Sequence, residues 1–261
     1  MSQRHLELQS GLHHNADQDY ARQYSEEFVS RWDELIDWDK RAIGEGSFFT
    51  DLLLSAGACS VLDVSTGSGF HAVQLKKAGF DVCASDGSQT MVDRARINFA
   101  RHGLDIPLSC CDWNDLDPVR LGTFDAVLCL GSSLCHVFAE HERLTVLQRF
   151  HSLLRPGGLL IVDQRNFQAI LEGHFKSSGR YYYCGQTAQV TLGEVNDQLC
   201  EFVYTFSDQA RYRLRVAPIR PHQLRKEISL GGFSGVQSYG DFKPVYDPLR
   251  ADFIIHVAHR P

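Results

Sequence analysis

Two glycines and a set of carboxylates carry most of the chemical information in this chain. In Val61-Leu-Asp-Val-Ser-Thr-Gly-Ser-Gly-Phe-His-Ala72, a short apolar run is ended by Gly67 and Gly69. Glycines at such a point let the backbone turn tightly and approach a ligand with no Cβ in the way. Ala72 stands where the dinucleotide fingerprint has its third glycine. Asp86 follows about 20 residues beyond Gly67, at the end of the next predicted strand, where an acid bonds ribose hydroxyls. Two ligands fit this loop, a dinucleotide and S-adenosylmethionine. Asp63 separates them. A carboxylate inside the first strand suits a ligand with a cationic amino-acid end and repels a pyrophosphate. Cys111-Asp112-Trp113 adds a carboxylate and an indole face for an adenine. The competing role for Trp113 is core packing.

Other chemistries are poorly represented. The chain has eight cysteines and twelve histidines, yet no C-x-x-C, H-x-x-x-H or H-E-x-x-H. No metal site is expected, and the cysteines, mostly inside apolar runs, read as small packing residues. With 26 basic and 32 acidic residues the net charge is -6, and no Lys/Arg run offers a nucleic-acid backbone a partner. The apolar stretches are strand-sized, so no transmembrane span and no membrane partner are expected. The polar N-terminus lacks the apolar core of a signal peptide, which points to a cytoplasmic protein.

These residues need a scaffold, and the hydrophobic pattern supplies one. Residues 1–16 read as a flexible arm. A helix is expected from Asp17, its N-cap, because Tyr20, Tyr24, Phe28, Trp32, Leu35 and Ile36 recur at helical spacing. A second helical segment spans about Gly46–Ala56. Strands Val61–Val64, Asp81–Ala84, Phe124–Leu130 and Leu159–Asp163 then alternate with helices His71–Ala78, Thr90–Arg101 and Ala139–Leu154. A short apolar segment, Pro107–Cys111, makes a further strand. Continuous apolar strands alternating with helices imply a parallel sheet covered on both faces. Beyond Asp163 the texture changes to short polar-alternating strands at Tyr181–Cys184, Ala188–Leu192, Leu199–Phe206 and Tyr212–Val216. Helix Pro221–Leu230 and strands Val236–Tyr239 and Phe253–Ala258 close the chain. The expected architecture is α/β and Rossmann-like: a seven-stranded, mostly parallel sheet with an N-terminal helical cover. Residues 17–261 form one domain, and 166–220 an antiparallel lid insertion. Its core should include Leu62, Val64, Val82, Val127, Leu128, Leu160, Ile161 and Ile254.

VLDVSTGSGF, ASDGS, CDW, FDAVLCLG and LLRPGGLLIVD together resemble the class I S-adenosylmethionine-dependent methyltransferases. LGSSLCH, DQRNF, YYYCG and YGDFK narrow the resemblance to glycine N-methyltransferases. W-D-E-L-I-D-W, T-G-S-G-F-H and I-H-V-A bring it closer to the bacterial glycine/sarcosine enzymes that make glycine betaine. The resemblance covers roughly Tyr24 to Ala258. It implies S-adenosylmethionine as cofactor and S-adenosylhomocysteine as product. Cofactor contacts would come from Trp32, Arg41, Asp63, Gly67, Gly69, Asp86, Gly87, Asp112, Trp113, Leu130 and His136, with Arg41 gripping the cofactor carboxylate. Relatives in the family are oligomeric, so it also admits a homo-oligomer.

Methyl transfer to an amine is an in-line displacement by an unprotonated nitrogen, so alignment and water exclusion dominate. A small amino-acid substrate needs a fixed cation as well. Arg165, just past a strand end, has the planar fork for a bidentate carboxylate clamp; its competing role is that of an exposed loop arginine. Through the resemblance, Tyr24, Tyr183 and Tyr204 belong near the methyl and the substrate, and His136 lines the site. The chain departs from the family at Ser132, usually Asn, at Leu134, usually Phe, and at Val216-Ala-Pro218, usually bulkier. These changes keep a bulkier amine or amino acid open as the acceptor. An NAD-type oxidoreductase and a non-catalytic cofactor-binding module are the rival classes.

Overall fold

The computed structural model describes residues 19–175 and 187–261. Where the apolar spacing from Asp17 to Ile36 predicts one helix, the chain forms three short ones, α1 (Asp19–Gln23), α2 (Glu26–Ser30) and α3 (Trp32–Leu35), and α4 (Trp38–Glu45) follows. Side-chain caps mark the breaks before α2 and α4, whereas α3 starts without one. The Ser25 side chain accepts from the Phe28 N–H, and Asp37 accepts from Lys40 N–H, so each starts a new helix. The buried stripe survives, since Phe28 and Leu35 are both in the core. Asp17 lies outside the described residues.

After α5 (Phe48–Ser55) strands and helices alternate: β1 (Ser60–Asp63), α6 (Phe70–Lys77), β2 (Asp81–Asp86), α7 (Gln89–Arg101) and β3 (Leu108–Cys110). The second half runs through α8 (Pro118–Leu121), β4 (Phe124–Cys129), α9 (Glu140–Leu153), β5 (Leu154–Arg165) and α10 (Phe167–Leu171). Then come β6 (Ala188–Val195), β7 (Cys200–Phe206), β8 (Arg211–Val216), α11 (Pro221–Leu230), β9 (Ser234–Gly240) and β10 (Phe253–His259). The main sheet has seven strands in the order β3-β2-β1-β4-β5-β10-β9. β1 to β5 pair in parallel, and β10 runs antiparallel to both β5 and β9. The order reverses between β1 and β4. Open α/β sheets bind ligands at that switch point, beyond the strands' carboxyl ends.

β5 begins earlier than the expected Leu159: Leu154 already pairs with Phe124, and a register shift before Ala126 absorbs the extra residues. The expected core residues, Leu62, Val64, Val82, Val127, Leu128, Leu160, Ile161 and Ile254, are all buried.

β6, β7 and β8 form a separate three-stranded antiparallel sheet. Val190, Cys200, Phe202 and Val216 at one end pack in the same cluster as Val127, Leu160 and Phe167 of the main body. At the other end Ala188, Phe206 and Leu214 pack on Phe28 and Leu35. Tyr204 touches both groups. The predicted strand Tyr181–Cys184 lies outside the described residues. Among those described, no helix is long and apolar enough to cross a membrane.

Candidate active site

The loop after β1 is shaped by its two glycines, at φ 54° for Gly67 and 93° for Gly69. Gly69 is further constrained by packing, because a Cβ there would meet the Phe99 ring of α7 at 2.5 Å. Asn98 Nδ2 donates to Ser68 O at 2.9 Å and ties the loop to the same helix. Asp86, at the tip of β2, accepts from Gly67 N–H at 2.8 Å and from Ser88 N–H at 2.9 Å. Burial still outweighs those two bonds and pushes its carboxyl up to about 6. The loop and the carboxylate therefore hold each other in place.

Asp112 fixes the next turn. Its Oδ1 accepts from Asn114 N–H at 2.8 Å, and the Tyr20 hydroxyl of α1 donates to Oδ2 at 3.5 Å. Trp113 Nε1 donates to Val64 O at 2.7 Å, and its ring meets Phe150 edge-on at 5.7 Å. The indole is thus held by its polar edge and by its packing. Between these groups lies a cavity of about 250 Å³. Its wall includes the predicted residues Trp32, Arg41, Gly67, Asp86, Gly87 and Asp112, together with Trp113 and Leu130.

Tyr24 and His136 complete one side of this wall. The Tyr24 hydroxyl hydrogen-bonds His136 Nε2 at 3.0 Å, and the two rings meet edge-on at 5.6 Å. Burial pushes His136 down to about 4, so the imidazole is neutral near pH 7, and it pushes the Tyr24 phenol well above its ordinary range. His136 Nδ1 is buried with no hydrogen-bond partner among the described residues.

The other predicted residues stand off the wall. Asp63 is buried beneath the loop, where its Oδ1 accepts from Ser65 N–H at 3.3 Å and burial raises its carboxyl. Gly69 serves the packing on Phe99. Ser132, at φ 61°, is a joint between strands: its N–H donates to Asp163 Oδ1 at 2.7 Å, and its Oγ accepts from Arg165 N–H at 2.8 Å. The Arg165 guanidinium stacks over the Phe253 ring at 4.1 Å. Burial pushes the Cys200 thiol of β7 up to about 12, and Arg165 lies close enough to counter that only in part. Arg165 therefore sits between the main sheet and the small one. Tyr204 of β7 packs against Phe28 at 5.6 Å. Tyr183 lies outside the described residues.

Sequence reasoning missed Tyr20, Thr66 and His71, which all line the cavity. Tyr20 precedes Tyr24 by one helical turn, and that spacing was the available signal. A Cβ at Gly87 would collide with the Tyr20 hydroxyl, which accounts for the glycine there. Glu45 was also missed; it stands one turn beyond Arg41 and is ion-paired with it.

The donor set fits S-adenosylmethionine. A buried carboxylate at Asp86 suits a ribose diol, Trp113 and Leu130 give an adenine apolar cover, and Arg41 suits a carboxylate.

A family profile described as "Methyltransferase domain" matches residues 61–158. The glycine/sarcosine N-methyltransferase of Halorhodospira halochloris is 43% identical over 241 residues, covering 92% of this chain and 90% of that protein. Its counterpart from Aphanothece halophytica is 42% identical over the same length, with 92% and 91% covered. The glycine N-methyltransferase of Rattus norvegicus is 32% identical over 273 residues, with 90% and 92% covered. Among solved structures, an S-adenosylmethionine-dependent methyltransferase from Clostridium acetobutylicum superposes with a TM-score of 0.69. That match has 17% identity and covers 89% of this chain and 97% of that one, a likeness of fold alone. With relatives this similar along nearly its whole length, the chain belongs to the glycine/sarcosine N-methyltransferase family of S-adenosylmethionine-dependent methyltransferases.

Proposed function

We propose that the protein methylates the nitrogen of glycine and sarcosine. The observation that carries this reading is Arg165, a cation at the end of β5 between Phe253 and the small sheet. It lies one hydrogen-bonded joint, Ser132, from Gly131 on the cavity wall. Similarity to relatives named as glycine/sarcosine N-methyltransferases supports the choice of substrate.

When bound, S-adenosylmethionine supplies a methyl group already activated on a sulfonium sulfur. The chain's part is to bind, orient and exclude water. Asp86, Trp113 and Arg41 would hold the ribose, adenine and carboxylate of the cofactor. Arg165 would clamp the acceptor carboxylate and so bring the amine toward Tyr24. The Tyr24 phenol stays protonated, and its oxygen lone pairs can meet a polarised methyl or an ammonium N–H. His136, neutral, orients that hydroxyl and is not required to take up a proton. The acceptor nitrogen attacks with its lone pair, and its proton leaves to solvent. Residues 166–220 act as a lid in this reading, and 17–261 as one domain.

A bulkier acceptor is not favoured by the packing. Leu134 is fully buried, and Val216 and Ala217 are part of the same apolar cluster, so the smaller side chains leave core and not open space. Release of S-adenosylhomocysteine, assayed with glycine, sarcosine, dimethylglycine, larger amino acids and simple amines, tests the reading. Turnover of glycine and sarcosine is expected. Activity confined to amines without a carboxylate would overturn it.

A further inference from the structure

We propose that Glu45 is a positioning residue for the cofactor's amino-acid end, acting through Arg41. The proposal rests on the reading that Arg41 grips the cofactor carboxylate, and it assigns a role to a residue behind the cavity wall. Arg41 lines the cavity; Glu45 does not. Glu45 follows it by one turn of α4, and its Oε1 accepts from Arg41 Nε at 2.6 Å. Its Oε2 hydrogen-bonds His71 Nε2 at 2.9 Å, from the first turn of α6 after the glycine loop. The carboxylate is thus held from two elements and is itself buried. Burial alone would raise it, but Arg41 and His71 reverse that and hold it at about 2.

The geometry does more than neutralise a charge. The Phe70 ring lies 4.8 Å beneath the Arg41 guanidinium carbon. A carboxylate on the Nε edge and an aromatic ring below fix both the rotation and the tilt of the fork. Arginine spends rotamer entropy whenever it grips a ligand, and a fork already locked loses less on binding. His71 joins the same lock to the loop that would pass around the cofactor, so the ligand's two ends share one support.

Binding measured by calorimetry separates this role from a merely structural one. Two probes are compared: S-adenosylhomocysteine, and 5′-methylthioadenosine, which keeps the nucleoside and sulfur but lacks the amino-acid end. Glu45→Gln keeps the shape and removes the charge. It should weaken S-adenosylhomocysteine by about 10-fold, the size of one lost charge-assisted hydrogen bond. Binding of 5′-methylthioadenosine should stay within about 2-fold, and Glu45→Asp should recover part of the loss. Arg41→Met should show the same selectivity. If Arg41→Met is selective and Glu45→Gln weakens both probes alike or neither, Glu45 is structural and the proposal fails while the Arg41 reading stands. If Arg41→Met is itself unselective, the grip on the carboxylate is wrong, and the proposal falls with it.

Discussion

The cofactor cavity and the acceptor side are built in different ways. Around the cavity, Asp86 and Trp113 are fixed by backbone groups of the loops just beyond the sheet's strand ends: Asp86 by Gly67 and Ser88, Trp113 by Val64. The proposed acceptor side, which meets the cavity wall at Tyr24 and His136, is assembled from far-separated segments. Arg165 stacks on Phe253 from β10, Tyr24 bonds His136, and Tyr204 comes from the small sheet. The first arrangement tolerates change in the surrounding domain, because the sheet's own edge makes it. The second depends on several elements docking together, and it is the half in which relatives can diverge.

This contrast is sharpened by substitutions that strike one region at a time. Arg165→Ala should have the largest effect, lowering kcat/KM for glycine by about 100-fold or more, since a bidentate charged contact is lost with no substitute. Steady-state kinetics checks it. Asp86→Ala should weaken cofactor binding by about 1–3 kcal/mol, read by calorimetry, while the KM for glycine at saturating cofactor changes little.

Asp86 also gives the cavity a pH signature. Its folded carboxyl sits at about 6 against an ordinary 3.8, so the folded protein holds that proton more tightly than the unfolded chain. Its contribution to stability therefore falls as pH rises from 3.8 to about 6, and is unfavourable above that. Cofactor affinity should move the other way, dropping as pH falls through about 6, because a protonated carboxyl accepts ribose hydroxyls less well. Asp86→Asn should flatten both profiles between pH 4 and pH 6.5 or so, measured by thermal melts and titration.

Smaller effects belong to the junction of the two regions. Tyr24→Phe leaves His136 Nε2 without its hydroxyl and should cost about 1 kcal/mol, a drop in turnover of several-fold. Ser132→Asn should matter least. Asn accepts the left-handed conformation at φ 61° more readily, but the change removes the Oγ that accepts from Arg165 N–H, so the two effects should offset to within about 1 kcal/mol in thermal melts.

Legibility in the sequence followed the same divide. Gly67, Gly69 and Asp86 are close enough along the chain to form a pattern, and the strand–helix alternation that positions them was visible as period and punctuation. The N-terminal helices were not, because Ser25 and Asp37 caps interrupt an apolar spacing that continues across them. Ser132, noted in the sequence as a departure from the family's Asn, has its hydroxyl spent on the Arg165 N–H. No spacing rule reports such a bond between two strand ends. Asp63 is buried and accepts from Ser65 N–H of the glycine loop, a local bond that residue type and spacing do not report.

The central claim is that the two regions work separately on one reaction. Calorimetric titration of the Arg165→Ala protein with S-adenosylhomocysteine tests this most directly. The account predicts a Kd within about 2-fold of the unaltered protein even as glycine turnover collapses, because the cavity's support does not pass through Arg165. A Kd weakened by about 10-fold or more would show that the two regions are one coupled site and would contradict the account.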